Sequence, residues 1–406
     1  MDYIAMAIPV FFALIGVEFL ILRATGRSGF YVFADTFSNL GTGILQRVTD
    51  IFFTVVVAGG YIALYSRAAL WDIPLDSALA WCVCFVAVDF LYYWFHRISH
   101  GVNALWAAHV VHHQSEEFNL SVALRQSAFQ PLFSSIFYLP LALIGFPPAM
   151  FLAISAFDTL YQFWIHTRTI QRLGPLELIF VTPSHHRVHH GSNPKYLDRN
   201  HGGTFIIWDR LFGSFQEEEE EPDYGVTRPL SSWNPIWANF HTWRDLVHQA
   251  QGLDSWADRV RVFLKPPGWK PGGVVPPTGV IPPKYAAGAR RSTQVYVGLH
   301  FTAALAVAVG LLYRAQMDLP AAGLATLIGW TLANASGLLE RRPWTGKAEG
   351  LRLLVVGGTS LVVVAGVALG GDVMPGGREG PAAGLLLLCL VSLPWFRRLE
   401  APAARR

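Results

Sequence analysis

The sequence predicts an all-α, polytopic membrane protein with a histidine-rich di-metal site at the cytoplasmic ends of its helices. Three observations predict this. Hydrophobic residues make up 52% of the 406 positions and charged residues only 15%, against about 25% charged in a soluble globular chain. Apolar runs approaching the ~20 residues that cross a bilayer recur along the chain. Ten of the 14 histidines fall into four short clusters at helical spacing.

The apolar runs mark the elements in order. The first covers residues 4–22, the second 51–65, and the third 78–95, with Asp89 inside it. Residues 129–163 form a longer run broken at Gly145, Phe146, Pro147 and Pro148. That break predicts a helical hairpin, either two spans or a re-entrant pair. The chain is polar from His166 to about residue 292. Runs at 294–313, 321–338, 351–369 and 383–396 then form a plain four-helix membrane block. The N-terminus lacks the basic region and small-residue cleavage site of a removed signal, so the first run is expected to persist. The expected domains are 1–292, carrying the histidines, and 293–406.

Charge sets the expected orientation. Loops 23–47, 96–125 and 168–291, and the loop with Glu340, Arg341, Arg342 and Lys347, carry most of the cations and are expected in the cytoplasm. The loop with Arg67, Asp72 and Asp76 is expected outside. A net charge of +3 is too mild to indicate nucleic acid. Residues 266–283, rich in Pro and Gly, read as an extended linker, and the acidic run 217–221 as a solvated loop. Cys82, Cys84 and Cys389 lie in apolar runs and read as small buried hydrophobes.

The histidines carry the chemistry. His96 and His100 form HRISH, His109, His112 and His113 form HVVHH, His166 ends QFWIH, and His185, His186, His189 and His190 form HHRVHH. Spacings of three and four place side chains on one helix face, so each cluster aims two or three imidazoles at one point. Nine or ten such rings suffice for two metals, each with an open position. Packed together without metal they are costly to bury. Nitrogen ligation without Cys disfavours an iron–sulfur cluster and calcium. Iron and zinc both fit, and iron is preferred if the chemistry is oxidative, because zinc is redox-inert. His201, His241, His248 and His300 stand apart and read as ordinary polar residues.

The stretches DFLYYWFHRISH, WAAHVVHHQSEEFNLSVALRQS, YQFWIHT, LGPLELIFVTPSHHRVHHGSNPKYLDRNHGGTFIIWDRLFGSF and PPGWKPG lie between residues 89 and 272. Together they resemble the fatty acid hydroxylase and sterol desaturase superfamily, most of all its alkylglycerol-oxidising branch. The resemblance implies two Fe ions held by His96, His100, His109, His112, His113, His166, His186, His189 and His190. It implies a monooxygenase that uses O2 on a membrane lipid. In that branch tetrahydrobiopterin supplies electrons, and an O-alkyl ether is cleaved to a fatty aldehyde and a glycerol derivative. Gln162 stands where some members have another His and is expected near the metals. His185 is expected behind the ligands. Gly101 follows the first motif where the branch often has Glu, and His201 stands where Tyr is usual.

Asp89 is expected either to accept the free N–H of a ligand histidine or to pair with Arg97 or Arg125. Asn119, with Glu116 and Glu117, lies either behind the metals or in a solvated turn, and Asp198 and Asp209 are similar cases. No Rossmann fingerprint, haem-attachment motif or ferredoxin-like cysteine pattern identifies an electron donor. Two other functions fit the same motifs. One is a sterol or fatty acyl hydroxylase or desaturase served by an electron-transfer protein. The other is a metal-handling membrane protein without oxygenase activity.

Overall fold

The computed structural model describes residues 3–276, 280, 282–314, 317–368 and 379–400. The chain divides into two compact units, Met1–Tyr285 with Leu312–Met317, and Ala286–Leu311 with Asp318–Arg406. Apart from one antiparallel pair of two-residue strands, the regular structure of the described residues is helical.

The first unit opens with α1 (Tyr3–Ala24), α2 (Phe33–Ala68) and α3 (Ala78–Gly101). All three are long and apolar enough to cross a membrane. Their outward side chains are apolar, such as Val56 at 65% and Leu79 at 73% exposure. Such side chains suit hydrocarbon rather than water. Cys82 is exposed on α3 rather than buried, whereas Cys84 and Cys389 are buried.

The region expected as loop 23–47 is largely helix, because α2 begins at Phe33. Asp35, Ser38, Asn39 and Thr42 form a stripe along one face of its first half, and all four are buried. Asn39 Nδ2 donates to Asp35 (3.0 Å), Ser115 (3.2 Å) and Ser121 (3.1 Å). A polar stripe looks like loop in a hydropathy reading, because the partners that satisfy it lie some 80 residues away.

The hairpin forms at the expected break. α5 (Gln130–Ile144) ends on Gly145, whose φ of +113° is left-handed. A Cβ there would also sit 1.9 Å from the Trp71 carbonyl oxygen, so only glycine fits. α6 (Pro148–Trp164) follows, with proline in its first turn. At 15 residues α5 is about 22 Å long, short of a ~30 Å hydrocarbon core.

Close approach also fixes Gly43 on α2. A Cβ there would lie 2.2 Å from the Leu124 carbonyl oxygen, in the turn between the second histidine cluster and α5. Gly43→Ala is expected to destabilise by about 1–3 kcal/mol through overpacking, read as a lower unfolding midpoint in detergent. An unchanged midpoint would mean that α2 does not run this close to the turn.

Shorter helices complete the first unit. α4 (Asn103–His113) follows α3 directly, and α7 (Pro183–His189), α8 (Ile207–Leu211), α9 (Pro235–Gln251) and α10 (Trp256–Leu264) come later. Ala107 on α4 packs with Leu246, Ala250, Val262 and Trp269, and Asn103 Nδ2 donates to the Val262 carbonyl at 2.8 Å. The helix bearing HVVHH is therefore held by α9 and α10.

The acidic run 217–221 is a solvated loop, as expected, and it is also latched by ion pairs. Glu218 takes two hydrogen bonds from Arg187, at 2.6 and 2.7 Å. Glu217 pairs with Arg172, and Glu219 and Glu220 with Lys195. Arg187 also donates to the Thr167 and Ile170 carbonyls, which ties the run to the third and fourth histidine clusters. In the expected linker, Trp269–Lys270 and Gly273–Val274 pair as strands. Its residues 277–279 and 281 lie outside the described residues. Just beyond it, Lys284 binds Glu117 at 2.6 Å and the Tyr285 N–H donates to Glu116 at 2.6 Å.

The second unit holds α11 (Arg291–Arg314) as far as Leu311, with α12 (Leu319–Leu339), α13 (Thr345–Ala368) and α14 (Glu379–Glu400). It buries an ion pair between Arg352 and Glu349, to which Tyr296 and Asn334 also donate. His300 is satisfied within this network. Its Nδ1 accepts from Arg352 at 3.0 Å and its Nε2 lies 2.9 Å from Ser392 Oγ.

Candidate metal centre

Nine histidines converge in the first unit as two sets. His96, His100, His109, His113 and His189 form one, and His112, His166, His186 and His190 the other. Within each set one ligand nitrogen per residue lies within 4.8 Å of all the rest. The elements explain the sorting. His96 and His100 are one turn apart near the end of α3. On α4, His109 and His113 share a face and His112 turns toward the other set. His166 follows the C-terminus of α6, and α7 with its next residue delivers His186, His189 and His190. The sets adjoin through the stacked rings of His113 and His190, 4.5 Å apart.

The outer nitrogens define the chemistry. Nδ1 donates to the His201 carbonyl from His96 (2.8 Å), to Asp198 from His100 (3.1 Å) and to Gln130 Oε1 from His109 (2.9 Å). His112 donates to the Arg125 carbonyl (2.9 Å), His166 to the Gln162 carbonyl (2.7 Å) and His189 to the Arg199 carbonyl (2.9 Å). Every acceptor here is an oxygen, so each of these rings carries its proton on Nδ1 and turns a bare Nε2 lone pair inward.

Those lone pairs face one another. Nε2 of His96 and His109 are 3.0 Å apart, and Nε2 of His112 and His166 are 3.2 Å apart. With both protons outward, neither pair has a hydrogen to share. His113 and His109 approach to 3.1 Å in the first set. In the second, His186 and His166 approach to 2.9 Å, and His190 and His186 to 3.2 Å. Metal–imidazole bonds of about 2.0–2.1 Å set neighbouring ligand nitrogens roughly 3.0 Å apart at right angles and about 3.4 Å apart in a tetrahedron. The observed separations match such an edge, so the residues fit a first-row metal ion in each set.

Burial agrees. It pushes His109 and His166 down to about 4. Burial, then the neighbouring imidazoles, hold His112, His113, His186 and His190 well below the ordinary histidine value, and burial lowers His189 likewise. Metal binding needs neutral imidazole, and this environment supplies it.

The expected supporting residues take other places. Asp89 binds neither a histidine nor Arg97 or Arg125. It accepts from the Thr204 N–H (2.6 Å), the Trp208 indole (2.7 Å) and the Phe205 N–H (3.3 Å). Arg97 donates to the Tyr93 hydroxyl and the Phe212 carbonyl. The Gln162 side chain turns to Asp158 at 3.0 Å, and its carbonyl, not its amide, supports His166. His185 belongs to neither set; its ring accepts from the Thr182 N–H and lies against Phe215. Asn119 donates to the Phe30 carbonyl and accepts from Ser121, shaping the turn after the second cluster.

Sequence reasoning missed the carbonyls of Arg125, Arg199 and His201, because a main-chain acceptor has no residue-type signature. It also missed Gln130 and Glu18. Glu18, on α1, accepts from Tyr31 and from the Leu120 N–H and contacts Thr167. A lone Glu in an apolar run was a signal that could have found it.

Fold and site define the class: a multi-pass helical membrane protein with two buried histidine clusters that could hold metal. The fatty acid hydroxylase family pattern matches residues 81–214. The alkylglycerol monooxygenase of Xenopus tropicalis is 38% identical over 365 residues, 87% of this chain and 81% of that protein. Its counterpart from Homo sapiens is 42% identical over 276 residues, 67% of this chain and 61% of that protein. An ornithine lipid hydroxylase of Rhizobium tropici is 30% identical over 190 residues, 46% of this chain and 57% of that protein. No solved structure matches the chain significantly. The chain belongs to the fatty acid hydroxylase family and is an oxidoreductase acting on lipids.

Proposed function

We propose that the protein is a di-iron monooxygenase that cleaves the O-alkyl ether of alkylglycerols with O2 and tetrahydrobiopterin. The observation that carries this reading is the pair of inward-facing sets of Nε2 lone pairs, in a chain aligned over 87% of its length with an alkylglycerol monooxygenase. His96, His100, His109, His113 and His189 would hold one iron, and His112, His166, His186 and His190 the other. The bound irons supply oxygen activation.

The chain's own residues do the rest. The carbonyls of Gln162, Arg125, Arg199 and His201 keep the rings oriented and their lone pairs exposed. Phe118, stacked beside His166 and Tyr224, walls the second set from water. One oxygen atom enters the C–H bond beside the ether oxygen and the other leaves as water. Tetrahydrobiopterin would supply the two electrons and two protons that this balance requires. The hemiacetal then separates into a fatty aldehyde and a glycerol derivative. Residues 1–292 form the catalytic domain and 293–406 a separate membrane domain. The cations of the polar block that carries His185 to His190 support a cytoplasmic metal site.

The test is anaerobic iron loading of purified protein, then oxygen, tetrahydrobiopterin and a chain-labelled alkylglycerol, beside acyl and sterol substrates. Labelled aldehyde from the ether alone is expected. Oxidation of the acyl or sterol lipid without aldehyde would reject the ether reading.

A further inference from the structure

One four-residue segment supports three of the five rings in the first histidine set. Asp198 Oδ1 accepts from His100, the Arg199 carbonyl from His189 and the His201 carbonyl from His96. To aim three oxygens at three rings the backbone bends twice into the left-handed region, with φ of +56° at Asp198 and +54° at Asn200. Non-glycine residues adopt that conformation at a cost, and the surroundings must impose it.

The anchors that impose it are visible. Asn200, fully buried, donates to the His185 and Gln216 carbonyls at 3.1 and 2.7 Å and accepts from the Gln216 N–H at 2.8 Å. Asp209 takes the N–H groups of His201 and Gly202 at 2.8 and 2.7 Å. Asp89 and Asp158, from α3 and α6, hold Thr204 just beyond. Gly202 and Gly203 leave no room to shift. A Cβ would lie 2.5 Å from the Phe205 carbonyl oxygen at the first and 2.8 Å from the Tyr92 ring at the second. In the second set the pinned rings, His112 and His166, rely on Arg125 and Gln162 instead.

We propose that residues 198–201 are a clamp dedicated to one of the two metal positions, so that the two positions are tuned and loaded separately. Asp198, Asn200 and Asp209 are positioning residues, acting through the rings they orient. Losing such an outer partner typically weakens metal affinity 10–100-fold, and here the loss falls on the five-histidine position alone.

The proposal rests on the two-metal reading, which unaltered protein tests by binding two irons per chain. The clamp is tested in full-length Asp198→Ala and Asn200→Ala. The Asp198 side chain is 71% exposed, so its removal leaves folding intact. Each variant is loaded anaerobically with ferrous iron, titrated with a chelator and read by iron count and Mössbauer spectrum. The expected result is one iron lost at about 10–100-fold lower chelator concentration, with one of two spectral components altered and the other unchanged. Parallel loss of both irons, or two unaltered components in both variants, would overturn the clamp. Unaltered protein that binds fewer than two irons would overturn the reading beneath it.

Discussion

His112→Ala is expected to abolish lipid oxidation and to lower bound iron from two ions per chain to one. His112 is one of four rings in its set. Its Nε2 faces that of His166 at 3.2 Å, and its outer N–H is held by the Arg125 carbonyl. Alanine removes one of the four nitrogens of this set. His109 and His113, on the same short helix, belong to the other set, so that position should still fill. The apolar faces that insert α2 and α3 are untouched, and membrane insertion and unfolding temperature should change little. Iron count, turnover and thermal unfolding of one preparation decide the matter. Retained turnover with two irons would remove His112 from the ligand set.

Arg125→Met should be the most destabilising single change near the site. Arg125 is fully buried. Its Nε donates to the Val111 carbonyl at 2.6 Å, Nη1 to Ser38 (2.8 Å) and Asn39 (3.0 Å), and Nη2 to Gln114 (3.0 Å). Burial pulls this guanidinium down to about 10, with Asp35 and Glu116 opposing the shift. It therefore remains a cation at neutral pH. Methionine fills the volume but leaves four acceptors unmatched and a buried carboxylate without its nearest cation. Breaking such a buried charge arrangement costs about 3–5 kcal/mol. The unfolding midpoint should fall well below that of Gly43→Ala. The carbonyl that orients His112 should loosen with it, so iron is expected to dissociate faster. A midpoint within a degree of the unaltered protein would show that the network contributes little. Arg125→Lys should rescue only part, because one ammonium cannot span the fork.

Much of this protein is readable from local pattern. Long apolar runs placed α1, α3 and the four late helices with their ends within about six residues. The Gly-Phe-Pro-Pro break placed the α5–α6 hairpin, because a left-handed cap and a proline start are local requirements. The histidine spacings marked ten clustered rings, of which nine meet, and it was the family resemblance that left His185 out of the ligands. The same local logic failed for residues 33–47, where the buried stripe of α2 looked like loop. It also failed for Asp89, whose three donors lie 115 or more residues later, in the segment that leads into α8 and in α8 itself.

The sequence alone determined the membrane class, the histidine clusters and the metal chemistry open to them, because hydropathy and imidazole are properties of residues at short range. The choice of nine rings from the ten came from the family resemblance. The division into sets of five and four came only with the tertiary structure. So did the turning of His112 away from its neighbours on α4, and the carbonyl oxygens that fix each ring's proton. Those features depend on where main-chain oxygens from distant segments come to rest, and a carbonyl is the same group at every position of the chain.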